Sequence, residues 1–296
     1  MTRPVRAGLA ALALPLLLAA CGSHGAKPGV AAPATAPPRV VKAATERDFD
    51  RRGFSASTTV DNRWFPLRPG TQLVYEGRIT KSGKRVEHQV VFTVTDLTKV
   101  VDGVRAVVIF DRDYDAGELV EAELAFHAQD DDGNVWNLGE YPEEYDGGKF
   151  DGAPDTWIAG LAGAKAGILM RADPRVGTSS DSQGVAPAIE FSDEARVYQA
   201  GLRTCVPASC YRDVLVTDEW DTHEPAAHQR KFYAAGVGNI QVGVAGDDPE
   251  AETLVLVKAA QLDPAALGQV RQQALELDRR AYVSRKALYG HTPPAG

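Results

Sequence analysis

The stretch AQDDDGNVWNLGE, residues 128–140, sets three successive aspartates, a Gly-Asn step and a glutamate around one tryptophan, and Glu143, Glu144 and Asp146 follow closely. Carboxylates gathered this densely hold a hard cation, exchange protons with a substrate, or solvate a turn. Register tests the first role. A calcium loop of the EF-hand type needs acids at its first, third and fifth positions, glycine at the sixth and a bidentate glutamate at the twelfth. With Gly133 as the sixth residue, Ala128 falls at the first and Glu140 comes one place late. A hairpin fits better, because Asp132-Gly133 is a favoured pair for a tight primed turn. Asp130 and Asp132 are then solvated turn residues, and Trp136 and Leu138 belong to a core-facing side of the next strand. Glu140 is placed on that same side, half-buried and in need of a partner. No spacing among Glu140, Glu143, Glu144 and Asp146 sets a carboxylate pair across a cleft, so the last three read as a solvated acidic loop.

Two histidine patterns are weaker. His127 ends a strand on the side of Glu121 and Glu123, a conceivable ligand trio, but polar residues at alternate strand positions are commonly just solvated. His223 and His228 in HEPAAH miss the zinc-protease spacing, and Pro225 between them prevents the helix on which both rings would share a face. The chain has no Gly-x-Ser-x-Gly elbow, phosphate loop or dinucleotide fingerprint. No metal or cofactor is expected. The formal charge of −8 argues against nucleic acid or anionic lipid bound by bulk charge.

The elements that would position these residues are mostly strands. From Arg63 onward the apolar period is two: Leu73, Tyr75 and Ile79; Val86, Val90, Phe92 and Val94; Val104, Ala106, Val108 and Phe110; Val120, Ala122, Leu124 and Phe126. KSGK and VDGV turn the chain between them, which predicts an antiparallel meander. Further strands are predicted near 135–140, 188–198, 213–220, 230–233, 240–244 and 253–258. Residues 151–187 are rich in Gly, Ala, Ser and Pro and read as long loops crossing the sheet, with short elements inside DTWIAGLAGAKAGILM, where binding commonly lives. An apolar concavity beneath them, lined by Trp157 and Met170, is the expected ligand site; Trp136, Glu140 and His127 are further candidates. Asp263 is a helix N-cap and Pro264 suits the first helical turn. Leu267, Val270, Ala274, Leu277, Ala281 and Leu288 recur at three-four spacing, and Gly290 ends the pattern. That stripe is expected to pack on the sheet, or else to take an envelope protein partner.

The N-terminus resembles a bacterial lipoprotein signal: Arg3 and Arg6, an apolar run over 7–20 too short to span a bilayer, then Leu18-Ala19-Ala20-Cys21. The resemblance implies a mature chain that begins at lipid-modified Cys21 outside the cytoplasm, held in the membrane by several acyl chains. Residues 22–46, rich in Ala, Pro and Gly, read as an extended tether of roughly 70 Å. In that compartment Cys205 and Cys210, flanking a Val-Pro-Ala-Ser loop, are expected to form a disulfide.

RWFPLRPGTQLVYEG, AQDDDGNVWNLGE, DTWIAGLAGAKAGILMRADPRVG and KFYAAGVGNI resemble an uncharacterised group of bacterial secreted and lipid-anchored proteins. The resemblance covers residues 62–258 and implies a curved antiparallel sheet able to cradle an apolar ligand. The chain departs from the group at GTSSDSQGVAPAIEF. The expectation is therefore a mainly β protein: a signal peptide at 1–20, an anchor and tether at 21–46, and a curved antiparallel meander sheet, half-barrel or barrel-like, at 47–260. One C-terminal amphipathic helix follows at 261–290. Its expected role is non-catalytic handling of an apolar or cell-envelope ligand. An envelope interaction module and a carboxylate-dependent hydrolase are the alternatives.

Overall fold

The computed structural model describes residues 49–248 and 251–296; Cys21, the signal peptide and the tether lie outside them. The meander begins as expected with β1 (Thr71–Lys81), β2 (Lys84–Val101), β3 (Val104–Asp115) and β4 (Glu118–Gln129). Their three connections are Ser82-Gly83, Asp102-Gly103 and Ala116-Gly117, with both residues of each pair at positive φ. That is the primed two-residue turn whose twist matches a hairpin, and glycine at its second place adopts it without strain. β5 (Val135–Asp146) continues past Glu140, so Glu143 and Glu144 are strand residues and not a solvated loop.

Residues 151–187 are not a long loop crossing, and the short elements expected within them are strands of the sheet. They carry β7 (Trp157–Ile158), β8 (Lys165–Met170) and β9 (Asp181–Ala186), after the short β6 (Lys149–Gly152). These strands are too short to show a period. Then come β10 (Phe191–Val206), β11 (Ser209–Asp221), β12 (Ala227–Ala234), β13 (Gly238–Gly246) and β14 (Glu252–Gln261). Every pairing is antiparallel, and β1 pairs with β14 while β4 pairs with β5 and β5 with β8. The sheet therefore closes on itself as a barrel of twelve strands, with β6 and β7 added alongside β5.

Closure gives the sheet an inside and an outside. Inside, Val94, Val107, Ile109 and Ala125 of β2–β4 meet Leu215 and Tyr233 from the far wall. Val60, Trp64 and Leu67, from the segment before β1, join them and plug one end of the barrel. Asn62 holds the plug by donating from Nδ2 to the carbonyls of Gly133 and Arg171 (2.9 and 3.1 Å), and Gly236 N–H donates to Arg63 O (2.8 Å).

Outside, Val104, Ala106, Val108, Phe110, Ala122, Leu124 and Phe126 form one apolar face under the C-terminal helix. That helix, α1 (Pro264–Ser284), is capped by the Asp263 side chain accepting from Ala266 N–H (2.8 Å). Val270, Ala274, Leu277 and Ala281 are buried against the wall, so most of the expected stripe is spent on the barrel. A short α2 (Lys286–Tyr289) follows and adds Tyr289 to the same core.

Two charged contacts pin the helix. Lys99 of β2 is fully buried, and its three ammonium protons reach Asp278 Oδ1 (2.9 Å), Tyr282 Oη (3.1 Å) and Pro293 O (2.9 Å). The other Asp278 oxygen accepts from Ala295 N–H (3.1 Å). Glu143 of β5, also fully buried, accepts from Tyr141 and Tyr145 hydroxyls (both 2.6 Å) and from Arg280 (2.8 Å). Removing one partner of such a pair strands the other charge in a dry core, which costs far more than the pair contributes. Lys99→Ala is expected to lower unfolding stability by about 3–5 kcal/mol in urea titration. Lys99→Met with Asp278→Leu should recover most of that loss; a double variant as unstable as the single one would contradict this account.

Candidate functional site

The polar face of β4, expected to be solvated, points into the barrel, and so does that of β3. Cross-strand partners share a face, and Asp111 stands opposite Glu123, Asp113 opposite Glu121 and Ile109 opposite Ala125. Ile109 and Ala125 belong to the interior core, so the four carboxyls line the interior above them. Glu140 of β5 pairs with Ala125 and joins this wall. Burial raises all four carboxyls above the ordinary range, and their neighbours add to it: Asp111 and Glu121 on Asp113, Glu123 on Glu121, Glu140 on Glu123. Among the described residues no salt bridge joins a basic side chain to Asp111, Glu121 or Glu123.

The remainder of the band is paired. His88 of β2 is buried between Asp115 (Nδ1–Oδ1 2.7 Å) and Glu252 (Nε2–Oε1 3.0 Å), with Asp113 at 3.9 Å. Burial opposes its charge, but Glu252, Asp113 and Asp115 outweigh that and lift its pKa to about 9. Lys81 also reaches Asp115. Across the barrel, Lys231 meets Glu219 (2.8 Å), which accepts from Thr217 (2.7 Å) and Tyr233 (3.3 Å) hydroxyls.

The residues singled out from the sequence do not come together. Trp136 is in the outer core, ringed by Phe49 and Phe54 at 5.4 and 6.2 Å. Its Nε1 donates to Asp130 Oδ2 (2.8 Å), so Asp130 is the fastening of the turn and not merely solvated. Asp130 also accepts from Asn134 N–H and Nδ2 (both 2.8 Å). Trp157 is in the outer core too, while Met170 belongs to the interior one, so they line no common concavity. The outer face beneath residues 151–187 is filled by Trp136, Leu138, Trp157, Ile158 and Phe191.

Glu140 does not share a side with Trp136 and Leu138. The β4–β5 register shifts between Ala125 and His127, and Gly139 at φ 147° accommodates the extra residue. A Cβ there would stand 2.6 Å from Trp157 O, so glycine is required. Glu140 is buried at the seam, accepting from Asn137 Nδ2 (2.5 Å) and Trp157 Nε1 (3.3 Å). His127 lies inside at the plugged end, edge-on to Phe65 at 5.9 Å. Burial depresses its pKa to about 3, and its Nδ1 has no hydrogen-bond partner among the described residues. Both amide atoms of buried Gln183 likewise have no partner among the described residues. Among the described residues no group of three or more His, Cys, Asp and Glu side chains is arranged to hold a metal ion.

Sequence reasoning missed His88, Asp111, Asp113 and Glu252. The available signal was alternation: Asp111 and Asp113 occupy the face of β3 opposite Val108 and Phe110.

Fold and site together define a closed antiparallel β-barrel with an external helix and ionisable groups turned inward. No family model matches the chain, and no curated protein matches it. Two solved structures are similar over most of their own length. One, from Bacteroides fragilis NCTC 9343, is provisionally described as an exported protein with a YmcC-like fold: 15% identity, 67% of this chain, 99% of that chain, TM-score 0.38. The other, from Parabacteroides distasonis ATCC 8503, is provisionally described as a lipoprotein: 10% identity, 68% of this chain, 100% of that chain, TM-score 0.39.

His88 makes stability depend on pH. Its folded pKa lies above the ordinary 6.5, so its contribution is complete below pH 6.5 and is lost as pH rises to about 9. Urea unfolding should show a fall of up to about 3 kcal/mol across that window. The raised interior carboxyls act with the same sign from lower pH upward. His88→Gln should reduce stability at pH 6.5 and flatten the slope between pH 6.5 and 9; an unchanged slope would assign the titration to other groups.

Proposed function

We propose that the chain is a lipid-anchored extracytoplasmic binding protein, without catalysis of its own, that takes a cell-envelope ligand inside the barrel. The observation that carries this reading is the two-zoned interior. One zone is apolar, with Leu73, Tyr75, Ile240, Val242, Leu254 and Leu256. The other is the carboxyl band of Asp111, Asp113, Glu121 and Glu123. An eight-stranded barrel is about filled by its own side chains, and twelve strands enclose more. An amphipathic ligand would satisfy both zones, its chain against the first and a hydrogen-bonding head against the second.

Leu18-Ala19-Ala20-Cys21 supports anchoring at Cys21. The Cys205–Cys210 disulfide supports an oxidising compartment. The same carboxyl wall supports a second reading, acid–base hydrolysis, because facing carboxyls with raised pKa values can hold and pass a proton.

Native mass spectrometry and lipid extraction of protein taken from its own envelope test the first reading. A co-purifying amphipath of constant mass is expected; a bare protein would count against binding, and a ligand shortened on incubation would favour hydrolysis. Membrane fractionation tests the address separately. Cys21→Ser should release the protein or leave it unprocessed, whereas unchanged retention would refute the anchor.

A further inference from the structure

The hairpin of β10 and β11 outgrows the barrel. β9 pairs only with Phe191–Ala195 of β10, and β12 pairs only with Leu215–Trp220 of β11. Residues 202–213 therefore form a two-stranded ribbon with no strand beside it among the described residues. Both strands bend where the ribbon begins, at Gly201 (φ 79°) and Asp213 (φ 55°). The register between β10 and β11 shifts twice on the way there and once more within the ribbon, between Leu202 and Thr204.

Beyond that bend the ribbon folds over the barrel. Val206 is buried in the apolar zone of the interior, against the cluster of Leu73, Tyr75, Leu254 and Leu256. Leu202, Ala208 and Tyr211 pack on the same cluster. At the tip, Ala208 N–H donates to Leu256 O of β14 (3.1 Å), so the ribbon reaches across β12 and β13. One backbone hydrogen bond, one buried side chain and three partly buried ones are a light fastening for a dozen residues.

An isolated two-stranded hairpin is marginal in water. This one carries a covalent lock. Cys205 and Cys210 stand directly opposite each other, joined as a disulfide, and both residues are exposed to solvent. The lock removes conformations that the free tip would otherwise sample, so docking of Val206 and Ala208 costs little further entropy.

We propose that residues 202–213 are a hinged strap over the apolar zone, held down by the Cys205–Cys210 disulfide and released when a protein dithiol reduces it. In that exchange a thiolate of the dithiol attacks one sulfur, the Cys205–Cys210 bond breaks and a mixed disulfide forms. The second thiolate of the donor then attacks the mixed disulfide. Cys205 and Cys210 end as thiols, each with one proton, and the donor ends as a disulfide. Without the bond the ribbon frays and the tip leaves Leu256. The apolar zone beneath, with Tyr75 and Leu254, then opens to a ligand's acyl chain. What the strap admits rests on the interior-ligand reading above; its release does not.

The test uses the full chain in neutral detergent, oxidised and after reduction, with two readouts. Hydrogen exchange at the Ala208 amide and through residues 202–213 should rise about ten-fold or more on reduction, while β3 and β4 amides stay unchanged. Binding of cis-parinaric acid, followed by its fluorescence, should become about ten-fold faster in the same samples. The variant with Cys205→Ser and Cys210→Ser should behave as the reduced protein without any reductant. Unchanged exchange at Ala208 on reduction overturns the strap. Faster exchange with no parinaric acid bound in either state upholds the strap and overturns the interior-ligand reading.

Discussion

Pairing between β4 and β5 is the constraint from which the rest of the molecule follows. It joins the four-stranded meander at the start of the chain to the wall that returns through β8 to β14, and so turns an open sheet into a ring. In an open sheet either face of β3 could meet the core. In the ring one face is enclosed on all sides, and the other needs a separate cover. The register slip at Gly139 belongs to the same joint: it lets β5 pair with β8 at one end and β7 at the other, and it turns Glu140 to the enclosed side.

The separate cover is the C-terminal helix, and its attachment depends on ions that would be costly anywhere else. Lys99 and Asp278 sit in the core between wall and helix, where a lone charge is strongly disfavoured. Every proton of the ammonium has an acceptor, and Tyr289 adds a ring face 4.4 Å away. Such a pair adds little net stability compared with an apolar replacement, yet it accepts only one seating of the helix. Glu143 and Arg280 repeat the arrangement a little farther along. The interior ions differ. His88 and Lys231 neutralise part of the band, while Asp111, Glu121 and Glu123 have their proton affinity raised first by burial and then by acidic neighbours.

Much of the architecture was legible in local pattern. Alternation located β1 to β4 closely, and the Ser-Gly, Asp-Gly and Ala-Gly pairs mark primed turns because glycine tolerates the positive φ they need. Asp263 and Pro264 mark the helix start, and Val270 to Ala281 mark its buried stripe. Short strands are legible only as short elements: Trp157–Ile158 and Lys165–Met170 hold too few residues to express a period, and their Gly-Ala surroundings imitate a loop. The candidate site was half legible. Alternation puts Glu121, Glu123 and His127 on one side of β4, but it does not say whether that side is solvated or enclosed, and nothing local gathers the partners from β2, β3 and β14.

The sequence by itself determined which residues share a face, because side-chain direction alternates along any strand whatever surrounds it. It also determined the turns and the cap, whose energetics are local. Only the tertiary structure decided which face is inside. That choice depends on closure between segments far apart in the chain and on where the helix settles. By covering the apolar face from outside, the helix leaves the acidic face to line the barrel.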